Sequence, residues 1–501
     1  MTETKVRKLK NYIGGAWVAA TASHFDDVYN PATGEVLAEV PFSSRADVDA
    51  AVKAAAEAFP AWSATPVSER ARIMFRFQNL LFQHQEELAR IVTRENGKNF
   101  NEAFAEVLRG IEMVEFAAGM PTLMMGDTLP NIARGIDSET IRLPLGVVGG
   151  IVPFNFPFMV PMWMYPIAIT AGNTFVLKPS ERAPLASQKA MELLKEAGLP
   201  DGVINIVNGA HDVVNGLLEH PEIKAISFVG SEPVAEYIYK NAAANGKRVQ
   251  ALAGAKNHHL VLADADLRRA AKTIVSSAFG SAGERCMAAS AVVVVNEVAD
   301  QLIERLIKES DALKMGNGLD EGVDLGPVIR SGHLERVHGF IDKGLAAGAI
   351  LARDGRKDAE VHQQGYFLGP TIFDNCHPEM EIVREEIFAP VLSIMRIKDF
   401  EEGLALIKKS RFGNGSTIYT NSGYYGREFV LRVEAGMIGV NVGVPAPMGF
   451  FPFSGSKRSF FGDLHVNGKD GVEFYTRKKT VTARWFAEGD LGIGSQKVFV
   501  K

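Results

Sequence analysis

The feature that most constrains the fold is a stretch without charge, because no Asp, Glu, Lys or Arg occurs between Arg142 and Lys178. About 20 apolar residues are enough to cross a bilayer. This stretch contains prolines at positions 144, 153, 157, 161 and 166. A lipid-exposed helix cannot satisfy its backbone groups across so many breaks. We therefore predict the buried interior of a soluble fold: a strand at 146–152, a loop at 153–158 and a short helix ending near residue 171.

Apolar strands then alternate with helices along the chain. Continuous apolar strands joined by helices are typical of a parallel sheet that is buried on both faces. We predict further strands at 174–180, 202–207 and 225–230, with helices at 183–197, 213–220 and 233–244. The alternation restarts near residue 265 with a helix at 267–278, a valine-rich strand and a helix beginning near Val298. The pattern predicts an α/β fold with two doubly wound domains.

The composition is that of an ordinary soluble globular protein. The 501 residues are 47% hydrophobic and 23% charged, and the formal net charge is only −5, so we expect neither a nucleic-acid nor a membrane partner. Two cysteines, Cys286 and Cys376, cannot form a disulfide framework, which favours a reducing compartment. The N-terminal residues contain no apolar run of the kind that a secretory signal needs. We expect a cytoplasmic protein without a metal site.

Cys286 lies in the segment SAGERCMAAS (281–290). Most free cysteines are inert core residues. Two features favour a nucleophile instead: the neighbouring cation of Arg285 favours a thiolate, and the small flanking residues leave room for a bound group. Cys376 has no comparable neighbours apart from His377, and we interpret it as a structural residue.

Two further positions are open to more than one interpretation. Asn155 is the single polar side chain of the loop PFNFPF, so its amide either bonds to the backbone or faces a ligand, where it could stabilise an oxyanion. The chain has no Gly-x-Gly-x-x-Gly motif, which leaves Gly230-Ser231, at a strand-to-helix junction, as the candidate pyrophosphate site. The same pair is also an ordinary helix cap.

Several segments together resemble the ordered signature blocks of the aldehyde dehydrogenase superfamily, over about residues 10 to 485. They are GVVGGIVPFNFP, FVLKPSERAP, FVGS, GERC, GYFLGPTIF, REEIFAPV, GMIGVN and SGSKRSFFGD. The resemblance implies that Cys286 attacks an aldehyde, that the Asn155 amide and the Cys286 N–H hold the oxyanion, and that a thioester is left on Cys286. It also implies NAD as the cofactor, with Glu181 repelling the 2′-phosphate of NADP. The implied cofactor residues are Val152, Phe154, Lys178, Glu181, Arg182, Ser231, Ala253 and Glu386. From the residues alone, a surface ion pair with Arg384 is the preferred interpretation of Glu386.

The chain departs from the hydrolytic members at one position. Their Glu-Leu-Gly-Gly-Lys block carries a glutamate that activates the deacylating water, and the aligned block here, QALAGAKNHHL, has Leu252 at that position. Leucine cannot accept a proton, so the thioester should wait for a better nucleophile, such as a thiol. Four segments resemble the CoA-acylating methylmalonate-semialdehyde dehydrogenase branch. They are the aligned block itself, GERCMA, RGIEMVEFAAGMPTLMMGD and SKRSFFGDLHVNGKDGVEFYTRKKTVTARW. His258 or His259 as a substitute base is the less favoured alternative.

The branch implies malonate or methylmalonate semialdehyde as the substrate and coenzyme A as the acyl acceptor, with loss of CO₂. A substrate carboxylate needs a cation, and Arg285 and Arg109 are the candidates. Periodicity places Arg109 outside an apolar helix stripe and predicts an ion pair with Glu106. The stripe consists of Phe104, Val107, Leu108, Ile111 and Val114. The alternatives are oxidation of another anionic aldehyde to the free acid, and a catalytically silent NAD-fold protein.

The resemblance also implies a domain division. We expect an NAD-binding domain at 1–127 and 146–252, a catalytic domain at 253–450, and a small β oligomerisation domain at 128–145 and 466–490. The segment KKTVTARW (478–485) alternates with period two, as a half-exposed strand does. Such a late strand often extends the sheet of another subunit, so a homotetramer, as a dimer of dimers, is expected.

Overall fold

A computed structural model describes residues 6–359 and 364–486. Its strands, in chain order, are β1 (Asn11–Ile13), β2 (Ala16–Val18), β3 (Phe25–Tyr29), β4 (Val36–Pro41), β5 (Thr128–Ala133), β6 (Ile136–Pro144), β7 (Val147–Ile151), β8 (Thr174–Lys178), β9 (Ile204–Ile206), β10 (Ile223–Val229), β11 (Arg248–Leu252), β12 (Asn257–Val261), β13 (Ala289–Val295), β14 (Ile350–Arg353), β15 (Thr371–Asp374), β16 (Val391–Ile397), β17 (Phe412–Gly413), β18 (Gly415–Tyr419), β19 (Met437–Val440), β20 (Ser456–Lys457), β21 (Phe460–Gly462) and β22 (Thr476–Arg484).

The helices surround and connect these strands. They are α1 (Arg45–Ala64), α2 (Val67–Gln83), α3 (Gln85–Asn96), α4 (Phe100–Ala118), α5 (Met159–Thr170), α6 (Leu185–Glu196), α7 (His211–Glu219), α8 (Glu232–Ala244), α9 (Leu267–Phe279), α10 (Asn296–Asp311), α11 (Ser331–Ala346), α12 (Arg356–Ala359), α13 (Glu381–Arg384), α14 (Phe400–Lys408), α15 (Gly423–Arg432) and α16 (Gly468–Phe474). Short 3₁₀ turns occur at Met120–Thr122 and Gly280–Gly283.

The charge-free stretch forms the three predicted pieces. Strand β7 and helix α5 are almost entirely buried, and the loop between them contains Asn155. Pro166 lies inside α5, which has only 12 residues. None of the helices in the described ranges is long and apolar enough to span a membrane.

An eight-stranded sheet carries the first alternation, in the order β2-β1-β9-β8-β7-β10-β11-β21. The strands from β9 to β11 are parallel, whereas β1, β2 and β21 are antiparallel additions at the two ends. The chain runs outward from β7 through β8 to β9 and then returns to β10 on the other side of β7. This reversal leaves a crevice outside the carboxyl ends of β7 and β10, the usual ligand position in such sheets.

A second sheet has seven strands in the order β14-β15-β16-β13-β12-β18-β19. All its pairs are parallel except β14 with β15. Each of the two large sheets has its own apolar core, consistent with helices on both faces. The predicted α/β class with two largely parallel sheets is confirmed.

The strand at the end of the described chain, β22, pairs along its whole length with β6 of the same chain, from Thr476 opposite Pro144 to Arg484 opposite Ile136. With β5 it forms a three-stranded antiparallel sheet in which β22 lies at an edge. The predicted late strand is therefore present. Residues 1–5, 360–363 and 487–490 of the predicted domain ranges lie outside the described residues.

Helix α4 differs from the predicted amphipathic pattern. Val107, Ile111 and Val114 are fully buried as expected, but Phe104 and Leu108 are 38% and 39% exposed. Glu106 is buried in their place, because it has a buried cationic partner in Lys98. The predicted pairing of Glu106 with Arg109 is wrong for the same reason.

Candidate active site

A large cavity of about 910 Å³ opens at the carboxyl ends of β7, β10 and β11. The segments that follow these strands supply part of its wall, including Phe154, Ser231 and Ala253. Cys286 and Glu386, from the segments that lead into β13 and β16 of the second sheet, line the other side. The volume suits a large ligand, and the position is the one at which doubly wound sheets bind dinucleotides.

Five of the eight predicted cofactor residues line this cavity. They are Phe154, Arg182, Ser231, Ala253 and Glu386. Val152, Lys178 and Glu181 are placed at the same sheet edge but are not among its lining residues. Val152 donates its N–H to the carbonyl of Lys178 at 3.2 Å, so the ends of β7 and β8 are adjacent.

Lys178 and Glu181 form an ion pair with 2.8 Å between Nζ and Oε2. Burial opposes ionisation of Glu181, but the ammonium of Lys178 and the cation of Arg182 hold its pKa below the usual value. The carboxylate is therefore charged at neutral pH. Its charge fits the predicted preference for a ribose hydroxyl over a 2′-phosphate.

Ser231 is the residue before the first turn of α8. Its side chain makes no hydrogen bond to that turn, although the backbone is extended as at an ordinary cap. Ser231 lines the cavity together with the first residues of α8. Ser231 therefore precedes the helix as a cap residue does, and its position in the cavity wall is compatible with the predicted pyrophosphate site.

Glu386 is half-buried in the cavity wall, and the predicted surface pair with Arg384 is not formed, since Arg384 approaches Glu379 instead. The Glu386 carboxylate accepts the N–H of Ala255 at 2.9 Å. Burial raises the pKa of Glu386 to about 7, opposed by this hydrogen bond and by Lys256. A Cβ at Gly254 would lie 2.7 Å from Oε2, so this glycine leaves space for the carboxylate.

Cys286 lies in the wall shared by this cavity and a second one of about 450 Å³. Its carbonyl accepts hydrogen bonds from the side-chain amides of Asn257 and Asn414, both at 2.9 Å. Asn257 is the first residue of β12 and Asn414 comes just before β18, and together they hold the peptide of Cys286 in place. The sequence offered no clear sign of this role, because the two residues are 157 positions apart.

The backbone before Cys286 has an unusual conformation. Ser281, Ala282 and Gly283 all have positive φ, at 49°, 53° and 68°. A Cβ at Gly283 would lie 2.3 Å from the Ala389 carbonyl oxygen, so only glycine fits there. Glu102 of α4 accepts the Ser281 N–H at 2.9 and 3.1 Å, which stabilises the turn. Left-handed non-glycine residues are uncommon and are found more often at functional sites.

The predicted effect of Arg285 on the Cys286 thiol is outweighed. Burial raises the pKa of Cys286 to about 12, and the nearby Glu386 carboxylate adds to the rise. The N–H groups of Cys286 and Met287 and the Arg285 guanidinium act in the opposite direction, but more weakly. Arg285 thus favours the thiolate, as predicted from the sequence, but burial outweighs its effect on the pKa of the thiol.

Asn155 is buried and lines the large cavity beside Cys286. Its side-chain amide donates one hydrogen bond to the Glu284 carbonyl at 2.9 Å. An amide carries two N–H donors, so a second N–H is left for an oxyanion at the thiol. A bond to the backbone and a role toward a ligand are therefore compatible, because the bond to the Glu284 carbonyl orients the Asn155 amide.

The smaller cavity is mostly apolar, with Phe156, Met159 and Trp163 in its wall. Both predicted arginines line it. Arg285 donates to Glu102 at 2.6 Å and to the Ser281 hydroxyl at 3.2 Å. Arg109 is paired with Glu112 at 2.9 Å rather than with Glu106, and it also donates to the Pro447 carbonyl at 2.7 Å.

Leu252 ends β11 and is buried in the same apolar core against which Cys286 packs. His258 and His259 are buried within β12 and line neither cavity. Burial lowers their pKa values to about 4 and about 3, and the Tyr419 hydroxyl contacts Nδ1 of His259 at 3.3 Å. They have no access to the acyl group on Cys286. Cys376 is buried beyond both cavities, in line with a structural role.

Comparisons with known proteins agree with this geometry. Residues 17–481 match the model of the aldehyde dehydrogenase family. A malonate-semialdehyde dehydrogenase of Geobacillus thermodenitrificans is 64% identical over 482 residues, which cover 96% of this chain and 100% of that protein. One from Bacillus anthracis is 63% identical over 97% of this chain and 100% of that protein.

Solved structures give the same result. The methylmalonate-semialdehyde dehydrogenase of Oceanimonas doudoroffii superposes with a TM-score of 0.95 at 46% identity, covering 97% of this chain and 99% of that one. A protein assigned as a methylmalonate-semialdehyde dehydrogenase from Sinorhizobium meliloti 1021, solved with NAD, has a TM-score of 0.95 at 44% identity and the same coverage. The sequence blocks, the two sheets and the half-buried cysteine between two cavities thus have one common explanation: the chain belongs to the aldehyde dehydrogenase family.

Proposed function

We propose that the protein oxidises malonate or methylmalonate semialdehyde with NAD and transfers the resulting acyl group, after loss of CO₂, to coenzyme A. The observation that carries this proposal is the position of Cys286 in a wall shared by two cavities, one lined by cofactor residues and the other by two arginines. The named activities of the relatives support the same substrate class.

The residues of the large cavity fit NAD. Ser231 supplies a hydroxyl for the pyrophosphate, the charged Glu181 with Lys178 suits the adenosine ribose, and Glu386 suits the nicotinamide ribose. Phe154 and Ala253 line the path between these polar groups, and the Arg182 guanidinium lies 5.4 Å from the Phe154 ring centroid. NAD held by these residues would supply the hydride acceptor for oxidation of the substrate carbon. The residues of the protein hold that carbon on Cys286, in the wall between the two cavities.

Cys286 forms the covalent bond with the substrate. Its sulfur, once deprotonated, attacks the aldehyde carbon to give a thiohemiacetal whose oxyanion lies near Asn155. The second amide N–H of Asn155 and the Cys286 N–H donate to this oxygen. When the hydride leaves the carbon, the oxygen reforms its double bond and a thioester remains on Cys286.

The substrate carboxylate is β to the carbonyl carbon of this thioester. Cleavage of the bond to the carboxylate releases CO₂ and leaves its electron pair as an enolate, whose oxygen occupies the position of the earlier oxyanion. The Asn155 amide therefore stabilises both charges at one place. Protonation of the enolate carbon gives an acetyl or propionyl thioester.

None of the three residues considered from the sequence as a base for water can serve the thioester in that way. Leu252 has no proton-accepting group, and neither His258 nor His259 reaches either cavity. Thiolate attack on a thioester needs little added base, so coenzyme A is the proposed acceptor. The transfer gives acetyl-CoA or propionyl-CoA and returns Cys286 to its thiol form.

The deciding experiment follows NADH formation with malonate semialdehyde, with and without coenzyme A. We expect one equivalent of NADH per Cys286 without coenzyme A, and sustained turnover with acetyl-CoA as product when it is added. Sustained turnover to the free acid without coenzyme A would instead support the alternative of an ordinary hydrolytic oxidation. Absence of NADH formation with every aldehyde would support the other alternative, a catalytically silent NAD-fold protein.

We also propose that the ranges 128–145 and 466–490 serve assembly into a homotetramer, and that the remaining ranges divide into the cofactor and catalytic domains described above. The edge position of β22 supports this, since an edge strand presents backbone groups that another chain can pair with. Sedimentation at several protein concentrations tests it, and a monomer throughout would contradict it. A cytoplasmic location is proposed from the two free thiols, Cys286 and Cys376.

A further inference from the structure

A fully buried ion pair lies beneath the loop that carries Asn155. The Lys98 ammonium is 2.6 Å from Oε2 of Glu106, and neither side chain has any exposed surface. Lys98 lies just before α4, and Glu106 lies in its second turn. Removing two charges from water is costly, so such a pair persists only where further polar groups complete its bonding.

Those further groups all belong to the loop 153–158 and the first residue of α5. The Lys98 ammonium donates to the Asn155 carbonyl at 2.6 Å. The N–H groups of Phe158 and Met159 donate to Oε1 of Glu106 at 3.0 and 3.2 Å. The ammonium also lies 4.1 Å from the ring centroid of Phe156.

The pair thus holds the loop at both ends. One charge bonds the peptide of Asn155, and the other bonds the peptides three and four residues later. Hydrogen bonds to charged groups are about twice as strong as neutral ones, so the backbone of Asn155 cannot shift without breaking the strongest bonds of the loop. The Asn155 side chain then extends from this fixed backbone to the Glu284 carbonyl, two residues before Cys286.

We propose that the Lys98–Glu106 ion pair is the positioning device that holds the Asn155 amide beside the Cys286 thiol. The two residues do not touch substrate in this role; they act through Asn155. The inference rests on the proposed function of Asn155 as the oxyanion donor. It accounts for a buried pair that stability alone does not explain, because apolar replacements of such pairs are often neutral or stabilising.

The test measures single-turnover NADH formation with malonate semialdehyde and with propanal, without coenzyme A, on the full-length protein. Rates are normalised to the number of Cys286 thiols in folded protein, with the folded fraction taken from the amplitude of the thermal unfolding transition, so that loss of folded protein does not count as loss of rate. The variants are Lys98→Met, Glu106→Gln and the double variant Lys98→Met/Glu106→Gln, which leaves no charge unpaired. Asn155→Ala is the reference.

A matched control is Lys247→Met. Lys247 is also buried and donates to two backbone carbonyls, those of His220 and Ile223, at 2.5 and 2.9 Å, but it lines neither cavity. A lysine that only stabilises the fold should lower the melting temperature when replaced and leave the rate per thiol unchanged.

We expect Asn155→Ala to slow NADH formation by about 100-fold, the usual effect of losing one oxyanion donor. The double variant should slow it by roughly 10-fold or more for both aldehydes, because a displaced donor loses much of its effect. Adding the double change to Asn155→Ala should slow the reaction little further. A normal rate per thiol in the folded double variant would overturn the inference, whereas a normal rate in Asn155→Ala would overturn the proposed function itself.

Discussion

Arg285, the residue before the nucleophile, donates to the carboxylate of Glu102, with 2.6 Å between the two atoms. The two residues are 183 positions apart in the chain, and both side chains are 18% exposed in the wall of the smaller cavity. The same carboxylate holds the left-handed turn before Cys286 through the Ser281 N–H. One glutamate therefore orients both the cation proposed for the substrate and the backbone that leads to the thiol.

This relationship predicts the outcome of replacing Arg285. Arg285→Ala should raise KM for malonate semialdehyde by about 10- to 100-fold, because it removes the cation and also leaves Glu102 unpaired, facing the substrate carboxylate. The KM for propanal should change far less. Steady-state kinetics with the two aldehydes measure the difference.

The double variant Arg285→Ala/Glu102→Gln separates attraction from repulsion. Removing the unpaired charge should recover part of the affinity, so its KM for malonate semialdehyde should be lower than that of Arg285→Ala. Equal effects of Arg285→Ala on the charged and the neutral aldehyde would remove the proposed role of this residue.

The second prediction concerns the pH dependence of Cys286. Burial raises the pKa of Cys286 to about 12 and that of Glu386 to about 7, so above pH 7 the carboxylate is charged and further disfavours the thiolate. Labelling of Cys286 by iodoacetamide in the protein alone should keep rising beyond pH 9 without a plateau. Glu386→Gln should speed labelling at pH 8 by about 3- to 10-fold, since each pKa unit is tenfold in thiolate.

The neighbouring residue provides the control. Glu385 is paired with Arg411 at 2.7 Å and is partly exposed, so Glu385→Gln should leave the labelling rate nearly unchanged. A plateau near pH 8 in the unmodified protein, or no response to Glu386→Gln, would contradict this description of the site.

Leu252 gives a third prediction. Leu252→Glu should place a carboxylate at the end of β11, within the core against which Cys286 packs. Burial should raise the pKa of the new carboxyl toward neutrality, where it can act as a base for water. We expect NADH turnover without coenzyme A to rise by roughly 10-fold.

Leu252→Gln has nearly the same size and no base, so it should not show this increase. The amount of NADH formed in the first turnover reports on intact protein in both variants. Intact first turnovers with no gain in coenzyme A-independent turnover would mean that residue 252 does not limit hydrolysis.

Glu181 gives a fourth prediction, on cofactor choice. Glu181→Gln should raise kcat/KM for NADP relative to NAD by about 10-fold, because the change removes a negative charge and frees the Lys178 ammonium for a phosphate. Kinetics with both cofactors measure the ratio. Glu196→Gln, an exposed position at the end of α6, is the control and should leave it unchanged.

The sequence by itself determined the α/β class, and it pointed to the proposed nucleophile and to the position that lacks a base. The alternation of apolar strands and helices is a pattern of short segments, so it predicts parallel sheets before any long-range contact is known. Cys286, Asn155 and Leu252 stand in local blocks whose chemistry can be interpreted residue by residue. The family resemblance that these blocks carry is confirmed by the comparisons.

Only the tertiary structure decided which charges meet. Helical spacing paired Arg109 with Glu106, yet Glu106 is buried against Lys98, and Arg109 is paired with Glu112. Likewise, Glu102 binds Arg285, and Asn257 and Asn414 hold the Cys286 carbonyl. The contacts made by Glu102 and Asn414 each join residues more than a hundred positions apart. Periodicity extends over a few turns of one element, whereas burial and electrostatic pairing depend on which elements the whole fold brings together.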